Sequence, residues 1–248
     1  MGSPPSHHPP HLLATCAALG LLFLLASCAS PAVTSPSSAA AKEQRIDILD
    51  YVIGDAGLWP RRGSHGQHQL VDRARQEVCW TKYGNPRRFE CWRWDDDFVH
   101  HAVDHALDGD SEESYVLTDG RWMPRFLPSA ATASAPWSLD VSNNGLMWFD
   151  AACRVDPSRS HLFPYRLRAW VEPSVDAGVD LGVRETLLFE YEPYDPATPT
   201  PGHTERFYFG RSAGWYRWER SGFVDLFNRL GGPATQMNRG VWCSGANP

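Results

Sequence analysis

A chain of 248 residues with 29 acidic and 23 basic side chains carries a formal charge of −6. That balance gives no basic stripe for a phosphate backbone, so nucleic acid is excluded as a partner. The first 41 residues hold no Asp, Glu, Lys or Arg; all the charge, and all eleven tryptophans, belong to a remainder long enough for one large domain with its own core.

The first element is an uncharged apolar run from Leu12 to Ala26, about the length of a secretory h-region and short of the roughly 20 residues a spanning helix needs. It ends in Leu25-Ala26-Ser27-Cys28. The segment resembles a bacterial lipoprotein signal with its lipobox, over residues 12–28 only. The resemblance implies that residues 1–27 are removed as a signal peptide. Cys28 then becomes the lipidated first residue, anchored in a lipid bilayer on the extracytoplasmic side, since two acyl chains hold where one binds only marginally. Ala29 after Cys28 implies the outer membrane in a cell that has two. The stretch Met1 to His11 departs from the pattern in lacking Lys and Arg. Residues 28–44, rich in Ser, Pro and Ala, read as a flexible tether, and residues 45–248 as a single domain.

Within that domain, Val78 to Trp92 reads as a hairpin centred on Asn85, with opposed residue numbers summing to 170. Cys79 therefore faces Cys91. Cys16 goes with the signal and Cys28 takes lipid, so Cys153 pairs with Cys243 by elimination. Four cysteines in an oxidising compartment allow three pairings; a four-cysteine zinc site lacks the required close Cys-x-x-Cys spacing.

Trp94 to Asp110 is rich in possible metal ligands. As a helix it lines Asp97, His101, His105 and Asp108 along one face, a plausible zinc geometry. As a strand it puts Val99, His101, Val103, His105 and Leu107 together, and the histidines pack or bind singly. Calcium is a third option, through Asp108, Asp110 and Glu112. Surface acids and packed histidines are the plain alternative. No nucleotide loop, Gly-x-Ser-x-Gly elbow or His-Glu-x-x-His motif is present, so no other cofactor is expected. Ser64-His65-Gly66-Gln67-His68 gathers a nucleophile and bases in a glycine-rich loop, as such loops do by chance.

Further on, Asp119-Gly120 reads as a turn joining Tyr115–Leu117 to Arg121–Met123. Asn144-Gly145 similarly reads as a tight hairpin between Trp137–Val141 and Leu146–Phe149. Nine or ten short strands rich in Trp, Tyr, Phe and Val follow one another without an internal repeat. One short helix is expected from Ser221 to Leu230, capped by Ser221 and stopped by Gly231-Gly232. The fold class is all-β, an antiparallel β-sandwich of jelly-roll type with that one C-terminal helix.

Alternation along three late strands places Glu190, Glu192, Arg206, Tyr208, Trp215, Arg217 and Glu219 on one open face. Flat rings with carboxylates and guanidinium groups suit a sugar; a solvated face of cross-strand ion pairs has the same composition. Catalysis on that face would use Glu190 with Glu192 or Glu219 as a glycosidase pair. A lyase would draw on Arg206, Arg217, Tyr208 and His203. Phe207 to Trp218 resembles the Tyr-Phe-Lys-Ala-Gly-x-Tyr-x-Gln strand of jelly-roll alginate lyases over about a dozen residues. An arginine stands near the lysine position and Trp218 replaces the glutamine, so no catalytic role is carried over. The expectation is a membrane-anchored lipoprotein that binds a carbohydrate or cell-envelope polymer through this face. The alternatives are a polysaccharide hydrolase or lyase on the same scaffold, and a structural lipoprotein with a protein partner.

Overall fold

The computed structural model describes residues 44–54, 65–82, 85–108, 111–177, 181–193 and 204–229. The signal-like run, Cys28 and the tether up to residue 43 lie outside the described residues, as do Ser64, Asp110, His203, Leu230 and Cys243. No helix among the described residues is long and apolar enough to cross a membrane.

The chain runs through β1 (Arg45–Asp47), a single helical turn α1 (Leu49–Val52), β2 (His65–Gln67), β3 (Gln69–Asp72), β4 (Glu77–Lys82), β5 (Asn85–Trp94), β6 (Phe98–Asp108), β7 (Ser111–Leu117), β8 (Arg121–Pro124) and β9 (Phe126–Pro128). It continues through β10 (Trp137–Val141), β11 (Gly145–Phe149), β12 (Val155–Leu162), β13 (Tyr165–Asp176), β14 (Val183–Pro193), β15 (Glu205–Gly210), β16 (Gly214–Arg220) and β17 (Phe223–Arg229). One large sheet has the order β10-β13-β14-β15-β16-β17-β2 and the other β12-β11-β7-β6-β5-β4-β3, while β1 and β9 pair as a separate two-stranded sheet. Both large sheets are mostly antiparallel meanders, and the fold is the expected all-β sandwich, with more strands than expected, several of them longer.

The sheets are held face to face by aromatic rings. Trp80 and Trp92, both fully buried, meet Phe209 and Trp215 of the opposite sheet, with centroids 5.4 to 6.5 Å apart. Trp122 on β8 lies 5.2 Å from Phe189. Tryptophan suits this gap because stacked sheets stand about 10 Å apart and one indole fills much of that distance. The tryptophan excess is thus spent mainly between the sheets.

The Cys79–Cys91 disulfide forms as the hairpin symmetry requires, with Cys79 opposite Cys91 and Trp80 opposite Glu90. Cys153 is also disulfide-bonded; Cys243, assigned to it by elimination, lies outside the described residues.

Two local expectations are corrected, and a third, the Asp119-Gly120 turn, stands. Where a helix was expected after Ser221, residues Phe223–Arg229 form β17, paired antiparallel with β16. Ser221 and Gly222 both have positive φ, 48° and 84°. They are therefore the two central residues of a tight turn with Arg220 opposite Phe223, a geometry in which Ser221 cannot cap a helix. Asn144-Gly145 joins no hairpin, because β10 pairs with β13 in one sheet while β11 lies between β7 and β12 in the other. Gly145 is not in the left-handed region. Asn144 is fully buried; it accepts from Asp119 N and donates to Phe163 O, which fixes the crossing between sheets. Asp119-Gly120 likewise joins two strands that do not pair with each other. β7 and β8 line up along the same edge of β6, and Gly120, at φ +69°, turns the chain between them.

Candidate functional site

The expected open face and the site the geometry builds lie on opposite sides of the same sheet. On the outer side, Arg206 reaches Glu190 through Nε at 2.9 Å, and Arg168 reaches Glu190 at 3.4 Å and Glu192 at 2.7 Å. Glu219 accepts from Tyr208 at 2.9 Å, pairs with Arg217 and lies 3.7 Å from Arg206. Both oxygens of Glu190 and of Glu219 are engaged, so the face is a ladder of mutually neutralised charges of the kind common on antiparallel sheets.

Trp215 is absent from that ladder, which corrects the strict alternation. Between β15 and β16 the register shifts, so that Phe207 faces Trp218, Tyr208 faces Arg217 and Phe209 faces Trp215. The extra residue of this β-bulge lets Tyr216 and Arg217, consecutive in the chain, share the outer side. There Tyr216 meets Thr186 and Tyr208. Trp215 is thrown inward, buried against Phe207, Phe227 and Trp80.

The Trp94–Asp110 segment is strand, not helix, over β6, and its four candidate ligands do not assemble. Asp97 precedes the strand and Asp108 ends it, about 36 Å away at the rise of an extended chain. A second bulge separates the histidines. Cys91 faces Val103 while Trp92 faces His101, leaving Ala102 as the extra residue. Val103 and His105 therefore point to the outer side. There His105 stacks on Phe89 at 4.9 Å and shares a 2.7 Å hydrogen bond with Ser114. His101 points between the sheets. The same bulge brings Asp104, of opposite parity, to the inner side beside it, opposite Glu90's flank of β5.

Inside, a cavity of about 470 Å³ is lined by aromatic side chains of both sheets, among them Tyr115, Trp122, Trp148, Phe163, Tyr191, Phe207, Trp215, Trp218 and Phe227. Its wall on the second sheet carries a compact polar group. Lys82 Nζ lies 2.6 Å from Asp104 Oδ2 and 3.1 Å from Glu90 Oε2. Tyr115 donates its hydroxyl to Asp104 Oδ2 at 2.8 Å, and the Trp92 indole donates to Glu90 Oε1 at 2.6 Å. His101 Nε2 approaches the same Glu90 oxygen to 3.6 Å. Across the cavity, Glu205 accepts from the Trp218 indole at 3.1 Å and lies 3.5 Å from Arg220.

Burial and these partners set the protonation states. Burial opposes charge on Lys82, but Asp104 and Glu90 outweigh it and hold the ammonium well above the usual lysine range. Burial likewise raises Asp104, and the ammonium of Lys82 more than reverses it, leaving a carboxylate below its usual range. Burial holds the His101 imidazole low, against the pull of Glu90 and Asp104, so it is neutral at pH 7. Burial, then the charges of Asp104 and Glu90, keep the Tyr115 phenol protonated. Glu205 is raised by burial, only partly countered by Arg220.

Three polar atoms on this lining have no hydrogen-bond partner: His101 Nδ1, Asp104 Oδ1 and the Trp122 indole Nε1. Their residues are 4%, 8% and 5% exposed. Buried polar atoms are almost always satisfied, and each left open costs about 1 to 3 kcal/mol. Three around one cavity mark capacity held for something else. Against this chain no protein-family model, curated protein or solved structure finds a match, so the residues themselves carry the functional argument.

Of the residues in this group the sequence pointed only to His101. Lys82, Glu90 and Glu205 had a readable signal, because each shares the parity of the tryptophans or phenylalanines of its own strand that face the opposite sheet, although Cys79, Phe89 and Cys91 are buried at the other parity. Lys82 alternates with Val78 and Trp80, Glu90 with Trp92 and Trp94, and Glu205 with Phe207 and Phe209. A charge at an apolar parity marks either a strand end or an interior site. Asp104 had no such signal, since only the bulge at Ala102 turns it inward.

Proposed function

We propose that the protein is a ligand-binding domain of the cell envelope that holds one small, partly apolar molecule between its two sheets. The observation that carries this reading is the aromatic cavity with three unspent hydrogen-bonding atoms, His101 Nδ1, Asp104 Oδ1 and Trp122 Nε1. Its volume falls in the range of small-molecule sites, which are mostly apolar with a few placed polar groups. Rings to cover C–H faces and acceptors for hydroxyls also suit a short saccharide. The carbohydrate expectation therefore moves from the outer face, where the charges neutralise one another, into the cavity. The lipoprotein resemblance at Cys28 supports an extracytoplasmic, membrane-anchored setting; secretion into culture medium of the unprocessed chain would count against it.

A second reading has its own observation. Asp104 is held ionised and Glu205 is pushed toward protonation within one cavity, the divergence that assigns base and acid in two-carboxylate hydrolysis.

One experiment addresses both. The purified protein is titrated with a panel of mono- and oligosaccharides and neutral amphiphiles, following tryptophan fluorescence and thermal midpoint, with product analysis of the same samples. Binding with a blue shift, weakened about tenfold by Trp122→Phe, which keeps a ring but removes the donor, supports the cavity reading. New sugar ends lost in Glu205→Gln support the hydrolase. A flat response across the panel, with no product, removes both.

A further inference from the structure

The charges around the cavity say what kind of head group it suits. In the inner polar group one ammonium, Lys82, is shared between two carboxylates, Glu90 and Asp104. Among the described residues the only other basic group touching either carboxylate is His101. Lys82 spends its bonds on Asp104 Oδ2 and Glu90 Oε2, leaving Asp104 Oδ1 buried and unpartnered on the cavity lining. A desolvated carboxylate oxygen with no donor is unfavourable unless a donor or positive charge arrives. Two rings of the same lining pack on the neighbouring His101. The His101 ring stacks on Tyr115 at 5.5 Å and meets Trp122 at 5.2 Å, and Tyr115 in turn lies 5.0 Å from Trp148. Aromatic faces attract cations, and indoles do so best. Trp148 already shows it at the cavity edge, where the Arg159 guanidinium lies 3.8 Å above its ring.

We infer that the cavity takes a ligand bearing an organic ammonium group, its charge set against Asp104 Oδ1 and its substituents against Tyr115 and Trp122, with an apolar body running along Phe207 and Trp215. The inference rests on the cavity reading above. Neutral His101 offers no competing positive charge. Glu205, paired with Arg220, and Asp225 also line the cavity, so its carboxyl groups outnumber its cations, Lys82 and Arg220. An anionic head would meet the excess negative charge of two carboxylates that share one ammonium, and a neutral head would satisfy the hydrogen bonds but leave that charge unmatched.

The test uses the full chain and three probes with the same tail and different heads: octyltrimethylammonium, 1-octanol and octanoate, all below micellar concentration. Each competes with the neutral fluorophore N-phenyl-1-naphthylamine. The expected result is displacement by the ammonium at least tenfold more effective than by the alcohol, with octanoate weakest. Asp104→Asn should erase the ammonium's advantage over the alcohol; if that variant does not fold, Glu205→Gln is read the same way, with a smaller loss. Equal displacement by alcohol and ammonium, tighter binding of octanoate, or an ammonium preference that survives these changes in a folded variant overturns the inference while the cavity reading stands. Failure of the fluorophore and of all three probes to bind overturns both.

Discussion

His101 shows how one side chain's surroundings become a measurable property of the whole protein. An imidazole in the unfolded chain titrates near 6.5, and burial holds the folded one lower. Between those two values the unfolded chain binds more protons, so stability rises with pH there. The contribution of neutral His101 is complete above about pH 6.5. It erodes as pH falls through that value and levels off below the folded pKa. Urea midpoints at pH 7.5 and 5.5 should therefore fall with acidification in the native protein, and His101→Gln should flatten that difference. Trp215 makes the complementary point. An indole on an open sugar-binding face could be removed at little cost. Buried among Trp80, Phe207 and Phe227, Trp215→Ala should cost about 3 to 5 kcal/mol, while Arg217→Ala, two positions on and 29% exposed, should stay within about 1 kcal/mol. Chemical denaturation of the two variants checks the contrast. Glu90 and Lys82 were readable in principle, as charges at the apolar parity of their strands, because alternation depends on nothing beyond the strand itself. Asp104 was not, because its direction depends on a bulge.

At the scale of elements, the two bulges are what convert the alternating pattern into a site. Each is one residue placed where the partner strand has none, at Ala102 against β5 and at Tyr216 against β15. One brings His101 and Asp104 to the same side, and the other sends Trp215 between the sheets. The Cys79–Cys91 bridge lies on the outer face of the same hairpin whose inner face presents Trp80, Glu90 and Trp92. It holds the register on which that presentation depends. Closing a loop of about a dozen residues restricts the unfolded chain by roughly 2 to 3 kcal/mol. Paired Cys79→Ser and Cys91→Ser substitutions should lower stability by that amount, measured by urea unfolding, with far-ultraviolet circular dichroism unchanged in the absence of denaturant. The segment after Ser221 shows the opposite balance between pattern and context. Phe223, Val224, Phe227 and Leu230 fit a helical stripe, but Phe223, Asp225 and Phe227 also fit a strand. The edge of β16 needed a partner, and Ser221-Gly222 could make the tight turn that supplies one. Propensity was close to neutral there, and ladder hydrogen bonds decided.

At the scale of the whole molecule, an all-β chain with eleven tryptophans has to put most of them where two sheets meet. That requirement produces both the core and the cavity. Trp80, Trp92, Phe209 and Trp215 interlock between the sheets, and the rings beside them, with Trp215 itself, line a space. The sequence by itself determined the strand-rich class, the Asp119-Gly120 turn, the Cys79–Cys91 register and the split between an uncharged N-terminal region and a charged, aromatic domain. All of these follow from composition or from neighbours within about a dozen residues. Tertiary structure decided which strands pair, that Asn144-Gly145 crosses between sheets, that the late Glu and Arg residues neutralise one another, and that Lys82, Glu90, Asp104 and Glu205 line one cavity. The reason is physical. A strand's two faces are set locally, but which face is buried, and where a bulge inverts it, depends on partners tens to more than a hundred residues away in the chain.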